Sequence, residues 1–291
     1  MIPPSFEYHA PGSLADAIGL LKQHGDEAKI LSGGHSLVPL MKMRFAAPAH
    51  IVDINDIPGL DYLKEEGGHL RIGALVREAD LEASAVIAAK FPLILDATKL
   101  IADPQVRNRA TIAGNLAHGD PANDHPAVML ALDAELVIEG SGGERVVPIT
   151  KFFVDTFETA LASDEVLKEV RIPIPPAKSG GAYFKLERRV GDFAIVGVAA
   201  QVSLDGAGNI QSAGIGLTNV GPMPIKAEAA EASLAGKAPN DATLQQAGQL
   251  AADASKPVTD NRAPEDYKRA MVKELTIRAL RRAVSRAEGG N

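Results

Sequence analysis

The chain has 291 residues, 46% of them hydrophobic and 23% charged, and carries a net charge of -7. That length exceeds one average domain, and that composition suits a chain with a buried core and speaks against general disorder. Acidity without basic blocks argues against nucleic acid or an anionic membrane as partner, and the absence of cysteine excludes disulfides, thiolate nucleophiles and cysteine-held clusters or zinc.

No apolar run reaches the ~18 residues of a membrane span. The start, MIPPSFEYHAPGSL, has neither the basic residues nor the apolar stretch of a secretion signal, so a cytoplasmic protein is expected. The first element is a helix opened by Ser13. Leu14, Ala17, Ile18 and Leu21 repeat at i, i+3, i+4 and i+7, Asp16 completes a variant of the capping box, and Gly25 stands where the helix should end. AKILSGG and HIVDIN (50–55) read as short strands, which makes residues 1–57 a small α/β unit. LRIGALVREADLEAS (70–84) predicts a strand entering a helix, and the helical pattern goes on with a break around Pro92.

From 103 the sequence predicts a long polar loop, then a helix over 126–132 and a strand over 134–139. EVLKEVRIPIP (165–175) reads as a strand closed by prolines, and AKSGG (177–181) as a linker. Three further strands are expected in AYFKLERR, AIVGVAAQVSL and IQSAGIGLTNVG, with DGAGN (205–209) as the hairpin between the last two. From about 226 the chain is Ala-rich and helical in period. In its last helix Leu275, Leu280 and Val284 mark an inner face, with Arg278, Arg281, Arg282 and Arg286 outside. This order predicts an α+β fold in place of one doubly wound sheet.

Two bare segments stand out. Ser32-Gly33-Gly34-His35-Ser36 follows a strand and offers successive backbone N–H groups without bulky side chains, which suits a diphosphate nest and equally an ordinary tight turn. ATIAGNLAHGDPANDHP (110–126) places Thr111, Gly114 and Asn115 within five residues, with Asp120 and Asp124 after them. Hydroxyl, amide and glycine together suit a dinucleotide's phosphates and ribityl or ribose hydroxyls; a solvated surface loop is the plain alternative. No G-x-G-x-x-G opens a helix after a strand and no P-loop is present, which disfavours a Rossmann site and a P-loop NTPase.

The runs FEYHAPGSLADAIGLL, AKILSGGHSLVPLMKMR, HIVDIN, IADPQVRNRATIAGNLAHGDPANDHPAVMLALDAE, EVLKEVRIPIP and AYFKLERRVGDFAIVGVAA resemble, in the same order, the FAD-binding medium subunits of the molybdenum hydroxylases. The aerobic carbon monoxide dehydrogenase branch is the nearest in pattern. The resemblance implies a vanillyl-alcohol-oxidase (PCMH)-type FAD-binding domain over 1–176, built of α/β subdomains 1–57 and 58–176. It implies a C-terminal domain over 177–288, a three-stranded antiparallel sheet with helices.

For non-covalent FAD, it implies a diphosphate loop of Ile30, Leu31, Ser32, Gly33, Gly34, His35, Ser36 and Leu37. A second loop would be Thr111, Ile112, Ala113, Gly114 and Asn115, with Asp124 as a polar contact, Leu167 as an apolar wall and Lys185 as a basic contact. Phe193 falls where this branch carries tyrosine beside the flavin ring. Ala110 and Ala113 replace glycines of the common RNRGTIGGN pattern, and positive φ at either position would cost alanine about 1 kcal/mol.

No residue is assigned a catalytic role and none a metal. Of the seven histidines, His118 and His125 fall in the second segment but lack metal-ligand spacing, and Glu65-Glu66 reads as solvated charge. The chemistry is expected to belong to the flavin. The resemblance implies partners: a small subunit with two [2Fe–2S] clusters and a large molybdenum-binding subunit, in a dimer of heterotrimers that reduces a quinone or another small acceptor. A xanthine, N-heterocycle or aldehyde dehydrogenase of the same family is the alternative. A stand-alone oxidase with FAD linked to His35 and a non-catalytic assembly protein remain open at this point.

Overall fold

The first unit forms as its sequence pattern dictates. In the computed structural model, which describes residues 2–290, β1 (Glu7–His9), α1 (Leu14–His24), β2 (Ala28–Leu31), α2 (Leu37–Lys42) and β3 (His50–Asp53) follow one another. Ser13 caps α1 by accepting the Asp16 N–H at 3.1 Å. Its hydroxyl donates to the Asp16 carboxylate at 2.6 Å, where a full capping box would reach the Ser13 backbone N–H. Gly25 leaves the helix at φ 54°. The strands make a parallel sheet in the order β1-β3-β2, and Ala17, Ile18 and Leu21 of α1 pack with Val52 and Ile54.

Next come β4 (Leu63–Glu66), β5 (His69–Gly73) and the helices α3 (Glu78–Ala83), α4 (Ala85–Lys90), α5 (Pro92–Leu100), α6 (Pro104–Arg107), α7 (Ile112–His118) and α8 (His125–Ala131). Pro92 starts α5 at the position where a missing N–H is harmless, which explains the break in the helical pattern. The strands β6 (Glu135–Gly140), β7 (Gly143–Pro148), β8 (Phe153–Asp155), β9 (Glu158–Thr159) and β10 (Glu165–Pro173) complete this part. An antiparallel sheet in the order β4-β5-β10-β6-β7 packs Leu70, Ile72, Ile138 and Val170 against Leu81, Ile94, Leu116 and Val128 of the helices.

The long polar loop expected from 103 is in fact broken by two helices. Asp103 caps α6 through the Val106 N–H at 2.9 Å, and Thr111 caps α7 through the Gly114 N–H at 3.0 Å. Elements this short carry too few turns for a period to show.

The expected linker is also corrected, because Gly180 and Gly181 lie inside β11 (Ser179–Leu186). A β-carbon on Gly180 would overlap the Ala283 carbonyl oxygen, and one on Gly181 would lie 2.9 Å from Leu93 Cβ. These glycines serve close packing. β12 (Val196–Leu204), β13 (Ile210–Thr218) and the two-residue β14 (Ile225–Lys226) extend the antiparallel sheet, so a short fourth strand joins the expected three. α9 (Glu228–Leu234) and α11 (Glu265–Ala287) then pack on it through Leu234, Val272 and Leu280, and α10 (Asp241–Ala254) packs on both helices through Leu244. α8 also packs on this sheet: β-carbons on Gly214 and Gly216 would overlap the Ala131 and Ala127 carbonyl oxygens.

In α11, Leu275, Leu280 and Val284 are buried as expected, but Arg286 is not outside. Its side chain is 18% exposed and grips Asp96 of α5 with both Nη atoms, at 2.6 and 3.0 Å. Arg286 also donates to the Gly181 carbonyl at 2.6 Å. Replacing it (Arg286→Ala) is expected to cost about 1.5–3 kcal/mol, the range for hydrogen bonds to charged groups. Urea denaturation reads this directly, and a change below about 0.5 kcal/mol would mean the pair behaves like an exposed one.

Candidate cofactor-binding site

The two bare segments lie against each other. Ile30 and Leu31 end β2, Ser32 to Ser36 turn, and Leu37 opens α2. Gly34 sits at φ 76°. Gly33 is held tighter: a β-carbon there would overlap the Arg109 carbonyl oxygen and lie 2.8 Å from Ala110 Cα. Ser32 Oγ and Thr111 Oγ1 meet at 3.2 Å along the same seam. Among the described residues, no acceptor takes the backbone N–H groups of Gly33, Gly34, His35 or Ser36. His35 is exposed, and its Nδ1 donates to the Gly33 carbonyl at 2.8 Å.

The second segment is the capped first turn of α7 in place of a loop. Thr111, Ile112 and Ala113 are buried. The Asn115 carbonyl accepts from Asn123 Nδ2 at 2.8 Å, while its side-chain Oδ1 is buried without a partner among the described residues. Neither Ala110 nor Ala113 has a positive φ, so the strain that alanine would bring there does not arise. Ala113→Gly should accordingly give no gain in cofactor content and lower stability by about 1 kcal/mol, as glycine does within a helix. Absorbance and thermal melting of the variant check both.

Three supporting residues escaped the sequence reading. Asn55, just after β3, donates from Nδ2 to the Ser32 carbonyl at 2.9 Å. Arg77 donates to Asn55 Oδ1 and to the Arg109 carbonyl, both at 2.6 Å. Burial, and then nearby Arg109, hold the Arg77 guanidinium pKa below its ordinary value. Asn123 is the third, through its bond to Asn115. Only the position of Asn55 and Arg77 just beyond strand ends hinted at them.

Asp124, at the start of α8, is buried and accepts from the Tyr183 hydroxyl at 2.5 Å and from Lys185 Nζ at 3.0 Å. Burial pushes its carboxyl pKa up, against the pull of Lys185 and Tyr183. Lys185 Nζ donates as well to the Leu100 and Asp192 carbonyls, at 2.7 and 3.0 Å. Its hydrogens are thus all engaged by protein oxygens, and Lys185 works as a tie between segments. Phe193 follows directly with its side chain partly open to solvent, and Arg262 holds its carbonyl at 2.9 Å. Leu167 sits in the central core, paired across the sheet with Ile138.

His118 and His125 do not converge. His118 packs on Phe157 with its pKa lowered by burial, and His125 is fully buried 2.8 Å from Glu78. Glu65 and Glu66 pair with Lys90 and with Lys64 and Arg71.

A parallel α/β unit, a second antiparallel unit and two glycine-bearing segments meeting between them are the arrangement that the resemblance to vanillyl-alcohol-oxidase-type flavoproteins implies. Residues 4–175 match the FAD binding domain in molybdopterin dehydrogenase, and residues 181–283 the CO dehydrogenase flavoprotein C-terminal domain. The chain is similar to the carbon monoxide dehydrogenase medium chain of Hydrogenophaga pseudoflava, at 46% identity covering 98% of this chain and 99% of that one. It is also similar to the carbon monoxide dehydrogenase medium chain of Afipia carboxidovorans, at 43% identity covering 99% and 100%. A solved carbon monoxide dehydrogenase from H. pseudoflava, lacking the Mo-pyranopterin moiety of its cofactor, matches with a TM-score of 0.95 at 49% identity, covering 98% and 99%. The chain belongs to the FAD-binding medium subunits of the molybdenum hydroxylase family.

Proposed function

We propose that this chain is the electron-exit subunit of an aerobic carbon monoxide dehydrogenase. It receives electrons from the [2Fe–2S] clusters of a small partner subunit and delivers them through FAD to an external acceptor such as a quinone. A large partner subunit carries the molybdenum site, and the whole is a cytoplasmic dimer of heterotrimers. The observation that carries this reading is the seam of abutting turns, whose free N–H groups at Gly33 to Ser36 and unpartnered Asn115 Oδ1 suit a dinucleotide. Whole-chain similarity to carbon monoxide dehydrogenase medium chains supports the choice of branch.

FAD, once bound, supplies the redox chemistry, taking up and releasing electrons singly or in pairs. The chain's own residues do the rest. Ile30 to Leu37 would form the diphosphate loop, with the free N–H groups of Gly33 to Ser36 facing the phosphates, and Thr111 to Asn115 would hold the second side of the dinucleotide. Asp124 and Lys185 fix the C-terminal domain (177–288) to the FAD domain (1–176, subdomains 1–57 and 58–176). Leu167 closes the flavin pocket from the core side, and Phe193 offers a solvent-open ring on the acceptor side. The absence of cysteine requires that the clusters lie in another chain.

The test is composition of the untagged complex from its source. Per copy of this chain, about one molybdenum, about four irons and about one acid-released FAD are expected, with two co-purifying subunits. Carbon monoxide should reduce an added quinone or dye. Turnover of a purine, another N-heterocycle or an aldehyde in its place would overturn the branch and leave the subunit role standing. One observation favours a stand-alone oxidase: the exposed His35 ring has its Nε2 without a partner among the described residues. A lone, metal-free chain whose flavin survives acid would establish that reading and sink the electron-exit one.

A further inference from the structure

We infer that His9, His24 and His50, with Glu7 beside them, form a site for one Zn2+ ion, apart from the flavin loops. Each imidazole offers one ligand nitrogen, and the three nitrogens lie within 4.8 Å of one another. His9 Nε2 and His50 Nδ1 are 3.1 Å apart, and Glu7 Oε2 is 3.4 Å from His50 Nδ1. Ligand atoms around a tetrahedral zinc with bonds of 2.0–2.1 Å stand roughly 3.3 Å from each other. His9 and His50 are already spaced for one ion, and His24 closes on it by swinging out of its stack on His50.

The fold builds this arrangement from three elements. In the parallel pairing of β1 with β3, Glu7 lies opposite His50. Residues two apart on a strand share a face, so His9 points to the same side as Glu7. The last turn of α1 then lays His24 over the pair, its ring stacked on His50 with centroids 3.6 Å apart. All three histidines are half-buried, and Glu7 stands at the rim. A groove lined by His9, Ala15, Asp16, Gly19 and Gln23 reaches the cluster at His9.

The donor set selects the ion. Three neutral imidazoles and a carboxylate suit Zn2+, and Cu2+ and Ni2+ through the same atoms, whereas Ca2+ and Mg2+ require oxygen shells. Two facing imidazole nitrogens at hydrogen-bond distance can share only one proton, and a cation uses both lone pairs. Zinc exchanges no electrons, so its effect would be structural. It would clamp β1, α1 and β3, and β3 runs into Asn55, which holds the Ser32 carbonyl of the first glycine turn.

The experiment uses the untagged full-length chain, stripped with chelator and desalted. Zn2+ is titrated by calorimetry, and Co2+ by visible absorption as a reporter of four-coordination. Expected are about one zinc per chain at micromolar affinity or better, the strong visible bands of four-coordinate cobalt, and no response to Mg2+. His24→Gln and His50→Gln should each weaken zinc binding by at least about tenfold. Saturating zinc should raise the melting temperature of the wild type by more than that of either variant. His24→Gln lies at a helix end and tests the site even if His50→Gln unfolds the strand pair. Zinc binding equal in wild type and His24→Gln, or cobalt giving only the pale six-coordinate spectrum, would overturn the assignment.

Discussion

Gly33→Ala is expected to yield a folded protein depleted of flavin, with affinity lowered roughly tenfold to hundredfold. The new methyl would overlap the Arg109 carbonyl oxygen and stand 2.8 Å from Ala110 Cα and 3.0 Å from the Arg109 carbonyl carbon. All three are backbone atoms, so no side chain can swing aside. Relief requires the two turns to part, which stretches the Ser32–Thr111 contact of 3.2 Å and the Arg77 bond to the Arg109 carbonyl. Overpacking of this kind costs about 1–3 kcal/mol. The free protein sheds that strain by opening the seam, and the dinucleotide must close it again to bind. Gly34→Ala provides the comparison: its nearest neighbours are side-chain atoms at 3.2 and 3.4 Å, and the strain there comes from φ 76°. It should lose about 1 kcal/mol of stability and less flavin than Gly33→Ala. The ratio of flavin to protein absorbance in the purified variants decides. Full flavin in Gly33→Ala would show that the seam does not have to stay closed.

What the sequence disclosed and what it hid divide along physical lines. Periodicity exposed α1 and the last helix, because each runs long enough for its buried face to repeat, as Ala17, Ile18 and Leu21 show. It missed α6 and α7, which depend on single caps at Asp103 and Thr111. Glycine was read correctly as bareness, but its purpose needed the fold. At Gly33 it admits the Arg109–Ala110 backbone beside a row of free N–H groups, and at Gly180 and Gly181 it admits α11 and Leu93. Arg286 was misassigned for a related reason. Its position in the helical period is peripheral, yet the close approach at Gly180 brings it against Asp96. The three clustered histidines stand at positions 9, 24 and 50 and meet only through strand register and helix placement. No spacing rule contains that information.

Lys185→Met should destabilise the protein by about 3–5 kcal/mol, the range for removing one member of a buried pair. The Lys185 side chain is 1% exposed and that of Asp124 7%. The variant leaves Asp124 with only the Tyr183 hydroxyl and strips the Leu100 and Asp192 carbonyls of their donor. The sign of the pH dependence follows from Asp124. Its folded pKa already lies above the ordinary value because of burial, and Lys185 is the main force opposing that rise. Without the lysine the rise is larger. A carboxyl with a raised folded pKa contributes fully below its unfolded pKa and loses that contribution as pH climbs through the folded one. The deficit of Lys185→Met should therefore be smallest in acid and grow towards neutral pH. Adding Asp124→Asn removes the stranded charge and keeps an acceptor for Tyr183, so the double variant should regain more than about 1 kcal/mol. Urea denaturation from about pH 5 to pH 8 measures all three proteins. Parallel curves for wild type and Lys185→Met would place the loss in the two carbonyls and not in Asp124. The joint is then a matter of charge at both ends of one interface. Arg286 binds Asp96 and the Gly181 carbonyl near the start of β11, and Lys185 binds the Leu100 carbonyl near its end. Asp96 and Leu100 stand one helical turn apart on α5, so the C-terminal sheet is pinned along that helix at two points. Such a joint fixes the orientation of the segment carrying Phe193 relative to the glycine turns, which a flexible 177–181 linker would have left free.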